Sequence, residues 1–116
     1  MRPGMDLSEF EAVVDQTLEE LPAWVLEKID NLIVIVEEEP EDGDPELLGL
    51  YDGVSLHERV DYFGVMPDRI VIFRGPHLRL GLPPDELRAE IRKTVLHELA
   101  HHLGIDDHRL AELGWD

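Results

Sequence analysis

The chain has 116 residues with no cysteine, and 27 acidic residues against 10 basic ones give a formal charge of −17. That balance argues against nucleic acid and anionic membranes as partners, because phosphates demand basic surface. The lack of cysteine removes disulfides and thiolate metal ligands, and no apolar run approaches the roughly 18 residues a membrane helix needs.

Hydrophobic content of 43% and charged content of 32% fit a globular protein, and the length fits one domain over residues 1–116. Met1 to Asp6 lacks the apolar stretch of a signal peptide, so a cytoplasmic setting is the expectation. The acid is concentrated in Glu19-Glu20, Glu37-Glu38-Glu39 and Glu41-Asp42-Gly43-Asp44. Such runs are read as solvated surface.

In chain order, Asp6-Leu7-Ser8-Glu9 has the form of a capping box. Phe10, Val13, Val14, Leu18 and Leu21 keep helical period after it. Pro22 ends this helix or starts the next, which runs through Trp24, Val25 and Ile29. Leu32-Ile33-Val34-Ile35-Val36 is a β-branched run of strand length, expected to be buried on both faces or nearly so. Residues 38–48 are acidic, carry Pro40, Gly43 and Pro45, and read as an exposed loop. Gly49 to Gly53 forms a short strand or turn.

Arg69-Ile70-Val71-Ile72-Phe73 is a second clear strand, entered at Pro67-Asp68 and left at Gly75-Pro76. An exposed edge here would bind an extended peptide by strand addition. Pro83-Pro84-Asp85-Glu86 then opens a long helix from about 85 to 103. Leu87, Ile91, Val95, Leu96, Leu99, Ala100 and Leu103 form its broad apolar side. Asp106-Asp107 caps a last short helix, His108 to Leu113. The order gives an α+β fold, one small sheet packed on helices, with the long helix as its functional element.

The end of that helix reads His97-Glu98-Leu99-Ala100-His101-His102-Leu103-Gly104-Ile105-Asp106-Asp107, or H-E-x-x-H-x-x-G-x-x-D. About 0.04 accidental H-E-x-x-H matches are expected from this composition, so chance is set aside. Residues four apart lie on one helix face, about 5–6 Å between Cβ atoms, so His97 and His101 can reach one ion. Glu98 is rotated by roughly 100°, which places its carboxylate beside the ion rather than on it. There it can take a proton from water. Gly104 can end the helix through a positive φ, and the turn can deliver Asp107 as a third ligand.

Asp106 competes with Asp107 for that place and is otherwise a helix cap or a partner of a ligand imidazole. His108 is a further candidate ligand. His102 falls on the apolar side and reads as a satisfied buried histidine, while His57 and His77 read as surface residues in loops. A tetrahedral oxyanion needs a donor besides the metal, for which Tyr51, Tyr62, His108 and Arg92 are the candidates.

Over roughly Phe10 to Trp115 the chain resembles the compact zincin-like metallopeptidases of bacteria. The metal motif is the specific landmark, and Gly49-Leu50-Tyr51-Asp52-Gly53 and Pro67-Asp68-Arg69-Ile70 support it. The resemblance implies a minimal zincin-like fold, one Zn2+ per chain on His97, His101 and Asp107, and Glu98 as general base. It implies a peptide or protein substrate. The motif is also similar to that of the metzincins, with Asp107 where their third ligand is usually His. Their Met-containing turn has no counterpart, since no Met follows Asp107. Peptide deformylases require a cysteine that this chain lacks. The rRNA-maturation ribonucleases place His where Asp107 stands.

Two functions follow as expectations. One is a zinc-dependent peptidase, favoured by Glu98, which a purely structural zinc site has no use for. The other is a zinc-binding interaction or regulatory domain with little peptidase activity. A chain this short leaves little material for a deep cleft, so self-association or a partner protein would complete it.

Overall fold

A computed structural model describes residues 5–53 and 67–115, Asp107 by its backbone alone. Elements follow in the order α1 (Leu7–Glu19), α2 (Ala23–Lys28), β1 (Leu32–Glu37), β2 (Gly49–Asp52), β3 (Asp68–Phe73), α3 (Arg74–Arg79), α4 (Pro84–Leu103) and α5 (Asp107–Leu113). This is an α+β fold with a three-stranded sheet, as expected for a minimal zincin-like protein.

Local chemistry sets the long elements. Asp6 accepts from the Glu9 amide at 2.8 Å and Glu9 reaches back to the Asp6 amide, a complete capping box for α1. Phe10, Val14 and Thr17 of α1 are buried, the 4- and 3-residue steps of one helix face. Helix α4 begins at Pro84, where a missing N–H costs nothing, with Asp85 and Glu86 in its first turn. It stops at Gly104, whose φ of 72° is the left-handed conformation that ends helices. The Ile105 amide closes the turn on Ala100 O at 2.9 Å.

The sheet order is β1-β3-β2, with β1 parallel and β2 antiparallel to β3. Ile70 and Ile72 of β3 point toward α1, α2 and α4 and join Phe10, Val14, Val25, Leu87, Ile91, Val95 and Leu99 in the core. Val71 and Phe73 point to the opposite face, where Pro40 and Leu47 stand over them. No helix among the described residues is long and apolar enough to cross a membrane.

Three expectations change. β1 is an edge strand, half-buried with Ile33 42% exposed, rather than covered on both faces. β3 is the central strand, bonded on both sides, so it offers no edge for strand addition. Gly75-Pro76 does not end structure but lies in the first turn of α3. The first amides of a helix have no partner within it, so Pro76 removes nothing there.

Candidate metal centre

Helix α4 brings His97, Glu98, His101 and His102 onto its last two turns and divides their tasks. Among the described residues, His97 Nε2 is buried and has no hydrogen-bond partner. His101 lies outward, its side chain 59% exposed, with Nδ1 at 3.1 Å from Glu98 Oε1. A carboxylate only accepts, so Nδ1 is the donor in this contact. The Glu98 side chain is only 15% exposed.

A groove of about 420 Å³ opens beside these residues. One wall is the 44–48 segment with Gly49, and the other is Glu90, Lys93, Thr94, His97 and Glu98 of α4. The walls come close at Gly49, where an added Cβ would stand 2.7 Å from Thr94 Cγ2 and 3.2 Å from Glu98 Cγ. The acidic loop is therefore part of the site's wall. Two cations of α3 hold it there: Arg74 donates to Glu38 at 2.8 Å, and Arg79 binds both oxygens of Glu39, at 2.7 and 3.0 Å. Arg79 also donates to Pro45 O at 2.8 Å. The paired guanidinium holds the Glu39 carboxyl below its ordinary value and raises Arg79 in return.

Asp107 is the first residue of α5, directly beyond the Gly104 turn, and its side chain lies outside the described residues. Asp106 is the N-cap, accepting from the Arg109 amide at 2.9 Å, which is the cap role weighed for it. Among the described residues no three metal-binding side chains converge. His97 and His101 are thus two candidate ligands on one helix.

His102 is fully buried and satisfied, as its place on the apolar side suggested. Its Nδ1 donates to Asp68 Oδ2 at 2.9 Å, and its Nε2 accepts from the Asp30 amide at 3.3 Å. His77 corrects the surface assignment: it lies in α3 and is fully buried. Nδ1 pairs with Phe73 O at 2.7 Å, Nε2 with Thr94 Oγ1 at 3.0 Å, and the Phe10 ring meets it edge-on. Burial pushes its pKa down, against the opposing pull of the Phe73 carbonyl and the Glu90 charge. His57 and Tyr62 lie outside the described residues.

Of the expected oxyanion donors, Tyr51 gives its hydroxyl to Asp68 and Arg92 is paired with Glu20, the C-cap of α1, at 2.6 Å. His108 is exposed on α5. The groove instead presents Lys93, which sequence reasoning passed over. Its signal was available: Lys93 precedes His97 by four residues and so shares its face.

A family model described as zincin-like metallopeptidase matches residues 29–115. No curated protein matches. Among solved structures, a conserved hypothetical protein from T. thermophilus is similar at 25% identity, with a TM-score of 0.56 over 96% of this chain and 100% of that one.

Proposed function

This chain belongs to the zincin-like metallopeptidase family, and from that premise we propose that it is a zinc-dependent peptidase acting on peptide or protein substrates. The observation that carries the proposal is the orphaned His97 Nε2. A buried polar atom without a partner costs about 1–3 kcal/mol. A metal ion on that nitrogen would remove the deficit, which supports zinc at this position.

His97 and His101 would hold one Zn2+ through Nε2, with Asp107 as the third ligand and a position left for water. Zinc bound there supplies a Lewis acid for the substrate carbonyl and lowers the pKa of its water toward about 7. Glu98 does the proton work: its carboxylate takes the proton of the attacking water and passes it to the leaving amine. Glu98 Oε1 also fixes the His101 tautomer. The groove binds the chain on one side of the reacting bond, and Lys93 is the cation on its wall closest in sequence to the motif.

A second reading is a zinc-binding interaction or regulatory domain without efficient peptidase activity. It is favoured by the loss of Tyr51 and Arg92 as oxyanion donors. Self-association or a partner protein would then supply what the groove lacks. Elemental analysis of the parent, Glu98→Gln and His97→Ala, with peptide-library cleavage alongside, separates the two. One zinc in the parent and in Glu98→Gln, with cleavage by the parent alone, supports the peptidase. Zinc without cleavage in either supports the binding domain. A parent chain without zinc sinks both.

A further inference from the structure

Asp68 opens β3 as a buried carboxylate, 5% exposed. Its Oδ2 accepts from the Tyr51 hydroxyl of β2 at 2.5 Å and from His102 Nδ1 of α4 at 2.9 Å. Two elements that face each other across the site are thus tied to one oxygen of a third. The Tyr51 ring lies edge-on to both neighbouring imidazoles, 6.1 Å from His102 and 6.4 Å from His101, at 66° and 61°.

His101 is the ligand that needs such support. Its exposed side chain has two rotatable bonds, and its polar contact among the described residues is with Glu98, the group proposed to move protons. A ligand ring left to rotate spreads its lone pair over many directions, and ordering it on binding weakens affinity. Tyr51 limits that rotation from the β2 side. A phenylalanine with an apolar partner would fill similar space without desolvating a carboxylate. The hydroxyl adds direction, since a bonded tip holds the ring at one tilt.

We propose that Tyr51 is a positioning residue for His101, held at its tilt by Asp68, which anchors His102 with the same oxygen. His102 sets the helix from behind and Tyr51 sets the ligand ring from the side. The inference rests on the reading of His101 as a zinc ligand.

Zinc affinity, measured on the full chain by competition with a chromophoric chelator, tests it for the parent, Tyr51→Phe, Asp68→Leu and the double variant. Melting of the metal-free forms and the imidazole nitrogen–proton spectrum accompany it, with Val14→Ala as a core change on α1 away from the site. Tyr51→Phe is expected to weaken zinc binding about 10-fold, within the range for outer partners of metal ligands. It should also shift the His101 ring signals of the metal-free chain. Asp68→Leu, which leaves no acceptor, should weaken binding at least comparably, and the double variant no more than the worse single, since both break the Tyr51–Asp68 bond. Val14→Ala should lower the melting temperature with affinity unchanged. Parental affinity in Tyr51→Phe, or losses that multiply in the double variant, overturns the positioning role while zinc binding by the parent still stands. A parent that binds no zinc removes the ligand reading itself, and this role with it.

Discussion

Gly49→Ala is the substitution on which the close packing of β2 against α4 can be tested most directly. The backbone of Gly49 is outside the positive-φ region, so alanine suits the strand itself. Its methyl would stand 2.7 Å from Thr94 Cγ2, 3.2 Å from Glu98 Cγ and 3.4 Å from Val71 O. Carbon contacts are most favourable near 3.5–4.0 Å, so the Thr94 methyl must retreat by close to 1 Å. It has little freedom to do so. Thr94 is buried, β-branched, and fixed by contacts of 3.0 Å to His77 Nε2 and 3.0 Å to Glu90 O. Overpacking of this kind costs about 1–3 kcal/mol, while replacing a strand glycine by alanine returns roughly 0.5–1 kcal/mol. The clash wins by about 1–2 kcal/mol, roughly 4–8 °C in melting temperature for a chain of this size. Thr94→Ser removes the offending methyl and keeps the hydroxyl, at a loss of about 0.8 kcal/mol by itself. In the Gly49→Ala background the sign reverses, and the double variant should be more stable than Gly49→Ala alone. Urea or thermal unfolding of the four proteins measures the coupling. A double variant as unstable as the two single losses added together would refute the close-approach argument.

Burial lowers the pKa of His77 below its ordinary 6.5, so the unfolded chain takes up a proton there before the folded chain does. That stability is present above about pH 6.5 and lost as pH falls toward the folded value, at up to about 1.4 kcal/mol per pH unit. Urea midpoints from pH 7.5 to 5 should fall in the parent and fall less steeply in His77→Gln; equal slopes would mean His77 is not the group. Arg79→Gln should speed amide exchange across residues 39–48 while leaving α4 unchanged, because Arg79 ties Glu39 and Pro45 to α3. Unaltered exchange in that segment would show that the loop is held by other contacts. Leu99→Ala empties a fully buried place in the core under the motif and should destabilise by about 2–5 kcal/mol in denaturant unfolding; a loss below about 1 kcal/mol would mean the core there can collapse.

What the sequence made legible is what neighbouring residues decide among themselves. The Asp6–Glu9 capping box, the prolines before α4 and Gly104 after it act within one helical turn, and each stands in the structure where local chemistry puts it. The H-E-x-x-H spacing is local in the same way, since four-residue steps put His97 and His101 on one side of a helix before any tertiary contact is known. The sheet was harder. Leu-Ile-Val-Ile-Val of β1 and Arg-Ile-Val-Ile-Phe of β3 are much alike in pattern, yet one is an edge and the other the centre. The difference is made by β2, which pairs with β3 along Gly49 to Asp52, a partnership no local pattern encodes.

His77 was misplaced for a related reason. Its burial is produced by Phe10, far back in the chain, and by Thr94, seventeen residues on. It stands among Arg74, Gly75, Pro76 and Arg79, and Gly75-Pro76 reads as a turn unless the strand's end is seen to lead straight into a helix. The Tyr51–Asp68–His102 tie is spread over three elements far apart in the chain, so its members look individually like a strand aromatic, a strand-capping acid and a core histidine. The motif names the candidate ligand atoms, whereas the way their rings are held is set by contacts between elements. Substitutions at Tyr51 and Asp68 should therefore change zinc affinity without altering any residue of the motif, which is where a purely local account of the site would expect no effect.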